Sequence, residues 1–281
     1  MALTDILVHM DQTEGSTARV DAAFRLAGQQ GARVTGLYAV PEPAALSLVS
    51  PWMTRRAIDD LRQSMSTWAD VACAELRGKL EASGLEGDCE TASVAEQEMV
   101  STIAERARFS DAVVVGQSDP DEPAPGGQQL AEQVVLTCGR PALVIPYIGL
   151  PDGFARRVLV AWNGGREAAR ALGDAIPILR KAEAVRVIRV HPGAGSVDDS
   201  YWSGNLRAYM ERHGVAAEVV GEVSPLGDVS VAELLLARAA DFAIDLLVMG
   251  AYGHSRMREL VLGGVTREVF AQMAVPVFMA H

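Results

Sequence analysis

Residues 6–11 read Ile-Leu-Val-His-Met-Asp, and residues 158–163 read Val-Leu-Val-Ala-Trp-Asn. Each is a short apolar run that ends in an Asx residue and passes into a polar turn containing glycine. Such a run ahead of a helix suits a strand buried on both faces of a parallel sheet. The likeness extends along the chain. Ser110-Asp111-Ala112-Val113-Val114-Val115-Gly116 matches Ile244-Asp245-Leu246-Leu247-Val248-Met249-Gly250, and Arg140-Pro141-Ala142-Leu143-Val144-Ile145-Pro146 matches Ala274-Val275-Pro276-Val277-Phe278-Met279. The elements keep the same order in both halves. The 281 residues therefore divide into two copies of one β/α domain, 1–150 and 151–281, joined at the Pro- and Gly-rich stretch Gly149-Leu150-Pro151-Asp152-Gly153.

The first copy is expected to run as strand 5–10, helix 16–30, strand 33–40, helix 54–82, strand 88–92, helix 96–109, strand 112–116, helix 128–138 and strand 142–146. The second has strands near 157–162, 185–190, 215–220, 245–249 and 275–280. Its helices fall near 166–180, 200–212, 230–242 and 265–273, with Pro177 kinking or shortening the first. In the long helix Ile58, Leu61, Met65, Trp68, Ala72, Leu76 and Leu80 recur at three or four residues, a stripe expected to face the core, and Gly84 supplies a stop. The tetrapeptide Ser-Val-Ala-Glu occurs at 93–96 and 230–233, and each copy can form a capping box. Strand–helix alternation implies an α/β class with parallel sheets covered by helices on both faces. Small molecules then bind beyond the carboxyl ends of the strands, where strand order reverses.

Composition excludes several functions. Lys and Arg number 25 against 36 Asp and Glu, a net charge of -11, so the basic footprint of a nucleic-acid-binding protein is absent. Hydrophobic residues at 49% and charged residues at 22% fit a packed core. No apolar window reaches the roughly 20 residues needed to span a bilayer, and no basic segment followed by an apolar run opens the chain. Cys73, Cys89 and Cys138 show no metal-ligand spacing and are expected to be reduced in a cytoplasmic protein.

The strongest local signal is Gly250-Ala251-Tyr252-Gly253-His254-Ser255-Arg256-Met257-Arg258-Glu259-Leu260-Val261-Leu262-Gly263-Gly264-Val265-Thr266-Arg267. It leaves the carboxyl end of a buried strand and enters a helix. Glycines permit close backbone approach to a ligand. The amides of Gly264, Val265 and Thr266 are first-turn donors where the helix dipole favours an anion. Thr266 adds a hydroxyl, and His254, Arg256, Arg258 and Arg267 place positive charge around the loop of an otherwise acidic chain. Together these suit a polyphosphate.

The Gly250/Gly253/Gly263 spacing, the strand ending in Asn163 and the Val275-Pro276-Val277 closing strand resemble the universal stress protein family, over nearly the whole chain and as two tandem copies. The resemblance implies two Rossmann-like domains, each a five-stranded parallel sheet, with ATP or a related adenine nucleotide as the ligand, alone or with Mg2+. The family's Gly-x2-Gly-x9-Gly-Ser/Thr motif falls on Gly250, Gly253 and Gly263, with Gly264 in place of the hydroxyl residue. Its acidic strand-end residue falls on Asn163, beside Trp162, and its adenine contact falls near Val190. The implied binding set is thus Trp162, Asn163, Val190, Met249, Gly250, Gly253, His254, Arg256, Gly263, Gly264, Val265 and Thr266, without a metal ligand or catalytic residue. Family pairing through the last strand implies that the strands at 142–146 and 275–280 pair within the chain, pairing the two domains, with a further homodimer open. Family members lacking the full glycine motif act through dimerisation and partners, so an interaction or signalling module is the alternative. ATP hydrolysis would need a positioned water and a base, and Glu259 is the nearest carboxylate, so at most a slow ATPase is expected.

The first copy lacks the glycine loop. Gln117-Ser118-Asp119-Pro120-Asp121-Glu122-Pro123-Ala124-Pro125-Gly126-Gly127 puts acids where the second copy has His and Arg, and prolines where amide donors are needed. It is expected to be degenerate for nucleotide binding although Asp11 retains the acidic strand end. His9 is expected to be a packed or hydrogen-bonded histidine rather than a metal ligand with Asp11, and Ala44–Met53 to pack over its own domain. No Gly-x-Ser-x-Gly elbow or Gly-x4-Gly-Lys-Ser/Thr loop occurs.

Overall fold

β1 (Asp5–Met10) is buried along all but its first residue, as a strand covered on both faces must be. In the computed structural model, which describes residues 2–42, 54–122, 125–192, 200–224, 229–252 and 264–281, it is the second-innermost strand of the first of two compact units. That unit, Leu3–Arg140, continues with α1 (Gly15–Gln30), β2 (Arg33–Pro41), α2 (Arg55–Ser83), β3 (Gly87–Val94), a 3-10 turn at Glu96–Glu98, α3 (Met99–Ala107), β4 (Ala112–Gly116) and α4 (Leu130–Thr137). The strands lie in the order β3-β2-β1-β4, and the β1 pairs with β2 and β4 and the β2 pair with β3 are parallel. Helical crossovers between successive strands require that arrangement.

The second unit is Pro141–His281 with the first two residues. Its elements are β5 (Ala142–Ile145), β6 (Arg157–Ala161), α5 (Arg166–Leu179), β7 (Ala184–Pro192), α6 (Ser200–Arg212), β8 (Glu218–Ser224), α7 (Val231–Asp241), β9 (Leu246–Gly250), α8 (Val265–Gln272) and β10 (Val277–Ala280). The order is β5-β10-β9-β6-β7-β8. The β10–β9, β9–β6, β6–β7 and β7–β8 pairs are parallel, and β5 runs antiparallel to β10 with Val144 opposite Val277. β5, expected to close the first copy, therefore groups with the second unit. Pro177 lies inside α5 near its end, where the helix continues only to Leu179. None of the helices among the described residues is long and apolar enough to cross a membrane.

The two copies share a structural device at the amino ends of their sheets. The Asp111 carboxylate accepts from the amides of Thr4 (2.7 Å) and Asp5 (3.1 Å), and Asp245 accepts from those of Arg156 (3.1 Å) and Arg157 (2.9 Å). In each copy an aspartate just before the fourth strand thus clamps the start of the first.

Three expectations are corrected by packing. Of the stripe expected on α2 only Leu76 and Leu80 are buried; the buried face is Ala69, Cys73, Leu76 and Leu80, and Trp68 is 49% exposed. The first half of the helix carries no buried residue, so periodicity alone overstated the core-facing length. Ser93 forms no capping box. β3 runs on to Val94, paired with Pro41, which keeps Ser93 in the strand, and its hydroxyl donates to Glu42 Oε1 at 3.3 Å. Ser230, free of a strand, makes the full box with Glu233. Finally, Cys73 and Cys89 are joined as a disulfide rather than reduced, because α2 packs on β3 with their Cα atoms 5.4 Å apart; Cys138 is buried and lies outside the bridge.

Candidate functional site

Strand order reverses between β6 and β9 in the second unit: β7 and β8 continue on one side, β10 on the other. Ala161 stands opposite Met249 on one neighbour and Ile188 on the other. The carboxyl ends of β6, β7 and β9 are therefore side by side, and with them Asn163, Val190, Met249 and Gly250. Trp162 is half-buried, and its amide donates to Ile188 O at 2.8 Å, extending the strand pairing by one residue. Asn163 is exposed, and its Oδ1 accepts from the Gly165 amide at 2.8 Å, closing a turn through Gly164, which has φ of 78°. Val190 is half-buried and Met249 buried.

Gly250 is required for close approach. A Cβ there would lie 2.5 Å from the Ala168 amide nitrogen and 2.6 Å from the Glu167 carbonyl carbon, both backbone atoms at the start of α5. Beyond it, Tyr252 adopts φ of 54°, and its amide donates to Thr266 Oγ1 at 3.2 Å. Thr266 is buried, so its hydroxyl binds the strand exit to α8. Gly264 caps α8 without a side-chain hydrogen bond. Gly253, His254, Arg256 and Gly263 lie outside the described residues.

Sequence reasoning missed Glu167. It sits on the buried face of α5, one turn before Ala171, and is itself buried. Burial works to raise its carboxyl, but the Arg166 hydrogen bond, its own amide, and the charges of Arg166 and His281 outweigh that and hold it below the usual carboxylate range. A Cβ on Gly165 would lie 3.0 Å from Asn163 Oδ1 and 3.3 Å from Glu167 Oε2, so these two oxygens face the same turn. His281 Nδ1 lies 2.9 Å from Ala251 O. An amide oxygen and a carboxylate beside β6 suit hydroxyl donors, and the start of α8, whose Gly264 cap brings no side-chain acceptor, suits an anion.

The same place in the first unit is filled. Arg19, which α1 carries on its apolar face with Ala22, Ala23, Leu26 and Ala27, is 5% exposed. Its Nη2 donates to Asp11 Oδ1 at 2.5 Å and its Nε to His9 O at 2.9 Å. A Cβ on Gly116, the counterpart of Gly250, would come within 2.7 Å of Arg19 Nη1. Asp11 also accepts from the Thr13 amide at 2.9 Å. Burial raises the Asp11 carboxyl, and Arg19, His9 and Thr13 together bring it below its ordinary value. His9 packs as expected but keeps Nε2 without a hydrogen-bond partner; burial, opposed by Asp11 and assisted by Arg19, lowers its pKa to about 4. Among the described residues no three His, Cys, Asp or Glu side chains gather as a metal site.

The universal stress protein family model matches residues 155–281. A universal stress protein from Synechocystis sp. PCC 6803, Slr1230, is 49% identical over 45 residues, 16% of either chain, so the match spans about a sixth of that relative. A universal stress protein structure from Archaeoglobus fulgidus DSM 4304 superposes with a TM-score of 0.75 at 18% identity, covering 98% of this chain and 97% of its own. The protein PA1789 of Pseudomonas aeruginosa PAO1, of unknown function, gives 0.60 at 17% identity over 99% and 92%. At these identities the structures establish a shared fold.

Proposed function

Residues 155–281 belong to the universal stress protein family, and from that premise we propose that the second unit binds ATP or a related adenine nucleotide. The observation that carries the reading is the contrast at equivalent strand ends: Asn163 is exposed at the end of β6, while Asp11 is buried and paired with Arg19. Asn163 and Glu167 would accept from ribose hydroxyls, with the Val190 strand end beside the base. The phosphates would lie toward Gly264 and Val265, where first-turn amides and the helix dipole favour negative charge. Arg256 and His254 would supply cationic side chains from the loop. Titration calorimetry of ATP against the wild type and Gly263→Glu tests this, with circular dichroism as the fold control. Binding by the wild type and its loss in the variant is expected. Absence of heat with both, or equal binding by both, overturns the reading.

A second reading rests on the acids at the site. Glu167 is buried beside Asn163, and Glu268 lies in the first turn of α8. Negative charge at a helix start competes with phosphate. If the second unit works instead as an interaction module, native mass spectrometry shows no retained nucleotide and ATP leaves the thermal midpoint unmoved.

A further inference from the structure

Cys73 and Cys89 join two elements that have little other apolar anchorage. α2 has 29 residues but buries only Ala69, Cys73, Leu76 and Leu80, and β3, the outer strand of its unit, buries only Cys89 and Val94. Near the bond a cleft of about 330 Å³ opens between α2 and the ends of β2 and β3. Met65, Ser66 and Ala69 line its helix wall, Val40 and Pro41 of β2 line the fixed part of its strand wall, and Thr91 and Ser93 of β3 line the outer part. Ala69 is one helical turn before Cys73, and Thr91 and Ser93 share the strand face of Cys89. The sulfur bridge therefore lies at the inner side of the cleft, and Arg77 Nη2 donates to Cys89 O at 2.8 Å at the same place.

We propose that Cys73 and Cys89 are a reversible thiol–disulfide pair that sets the width of this cleft. Oxidised, the bridge pins the strand wall to the helix. Reduced, the strand from Cys89 outward is released and the cleft widens. The reductant is a dithiol. Its thiolate attacks one sulfur, the S–S bond breaks, and its electron pair leaves on the other cysteine, which takes a proton. The second thiol of the reductant then attacks the mixed disulfide, freeing the remaining cysteine and leaving the reductant as its own disulfide. Two electrons pass to the protein; in the reverse step a small-molecule disulfide such as oxidised glutathione takes them up, leaving as two thiols while the Cys73–Cys89 bond re-forms. Cys73 and Cys89 are 2% and 6% exposed, so attack proceeds through local opening of the outer strand and is slow beside that on an exposed bridge.

The test uses the full chain purified without reductant. Alkylation in denaturant, before and after dithiothreitol, followed by peptide mass mapping, is expected to label Cys138 alone before and all three cysteines after. Hydrogen exchange on the native protein is then expected to speed up on reduction for the Cys89–Val94 amides, on the order of tenfold. β1 and β4 should be unchanged, and oxidised glutathione should restore protection. Cys89→Ala should exchange as the reduced protein does; if it does not fold, reduced wild type carries the comparison. Labelling of all three cysteines before reduction, with no joining by oxidised glutathione, overturns the proposal. So does a bridge whose reduction leaves β3 exchange unchanged, since it then controls nothing.

Discussion

The carboxyl ends of β1 and β6 occupy the same position in two copies of one architecture, yet one is filled by a buried ion pair and the other carries an exposed asparagine. At β1 an arginine of the following helix lies across the strand end, paired with a buried aspartate. At β6 the position of that aspartate is an exposed asparagine, and the helix residue in Arg19's place is Ala171. The difference teaches that one scaffold can carry two kinds of strand end: in the first copy a basic side chain turned inward takes the space and satisfies the buried acid, and in the second no such side chain is in register.

The largest expected effect is on that pair. Arg19→Ala leaves the Asp11 carboxylate buried without its cation, at a cost of about 3–5 kcal/mol. Arg166→Ala, in the second copy, removes a side chain that is 88% exposed and whose place water can take, so it should cost less than Arg19→Ala although Glu167 is buried. Urea denaturation of both variants measures the contrast; equal losses would break it.

Next comes acid. His9 is held neutral, its pKa lowered from 6.5 to about 4. Above 6.5 neither folded nor unfolded chain is protonated at His9. As pH falls from 6.5 toward 4 the unfolded chain takes a proton that the folded chain refuses, so stability drops, by about 3 kcal/mol in full. Asp11, whose carboxyl is also lowered, adds a further loss at still lower pH, as the unfolded carboxyl protonates first. Denaturation midpoints across this range should fall steeply for wild type and more gently for His9→Gln. The second copy has Ala161 there, so hydrogen exchange should place the loss in the first unit.

The smallest contrast is between the two Ser-Val-Ala-Glu copies. Ser230→Ala removes a working cap and should cost about 1 kcal/mol. Ser93→Ala removes a strand hydroxyl and should stay within about 0.5 kcal/mol. Thermal denaturation of the two variants distinguishes them, and equal shifts would mean that identical tetrapeptides do identical work.

Most of the fold was legible because buried parallel strands announce themselves as apolar runs. β1, β4, β6 and β9 lie within a residue or so of their expected bounds. What escaped reading depended on partners distant in sequence. The Ser93 tetrapeptide has the right letters, but pairing with Pro41 keeps it extended. The upper half of the α2 stripe has the right period, but no buried contact. The location of Asn163, Val190 and Gly250 at neighbouring strand ends followed from strand order, whereas the inward turn of Arg19 did not. Its one signal was a charge in register with Ala22, Ala23, Leu26 and Ala27, a face where an unpaired guanidinium would be costly. Glu167 carried the same signal on α5. Neither cysteine advertised the other, because the 16-residue separation acquires meaning only when α2 packs on β3.

The aspartates at 111 and 245 sit at the opposite edge from either strand end, each fastening the beginning of one strand to the beginning of another. Structural integrity is thereby secured on one rim and chemistry left to the other. Such a division lets one rim hold a plug of Arg19 and Asp11 and its sibling an exposed Asn163, while the fastening beneath both stays the same.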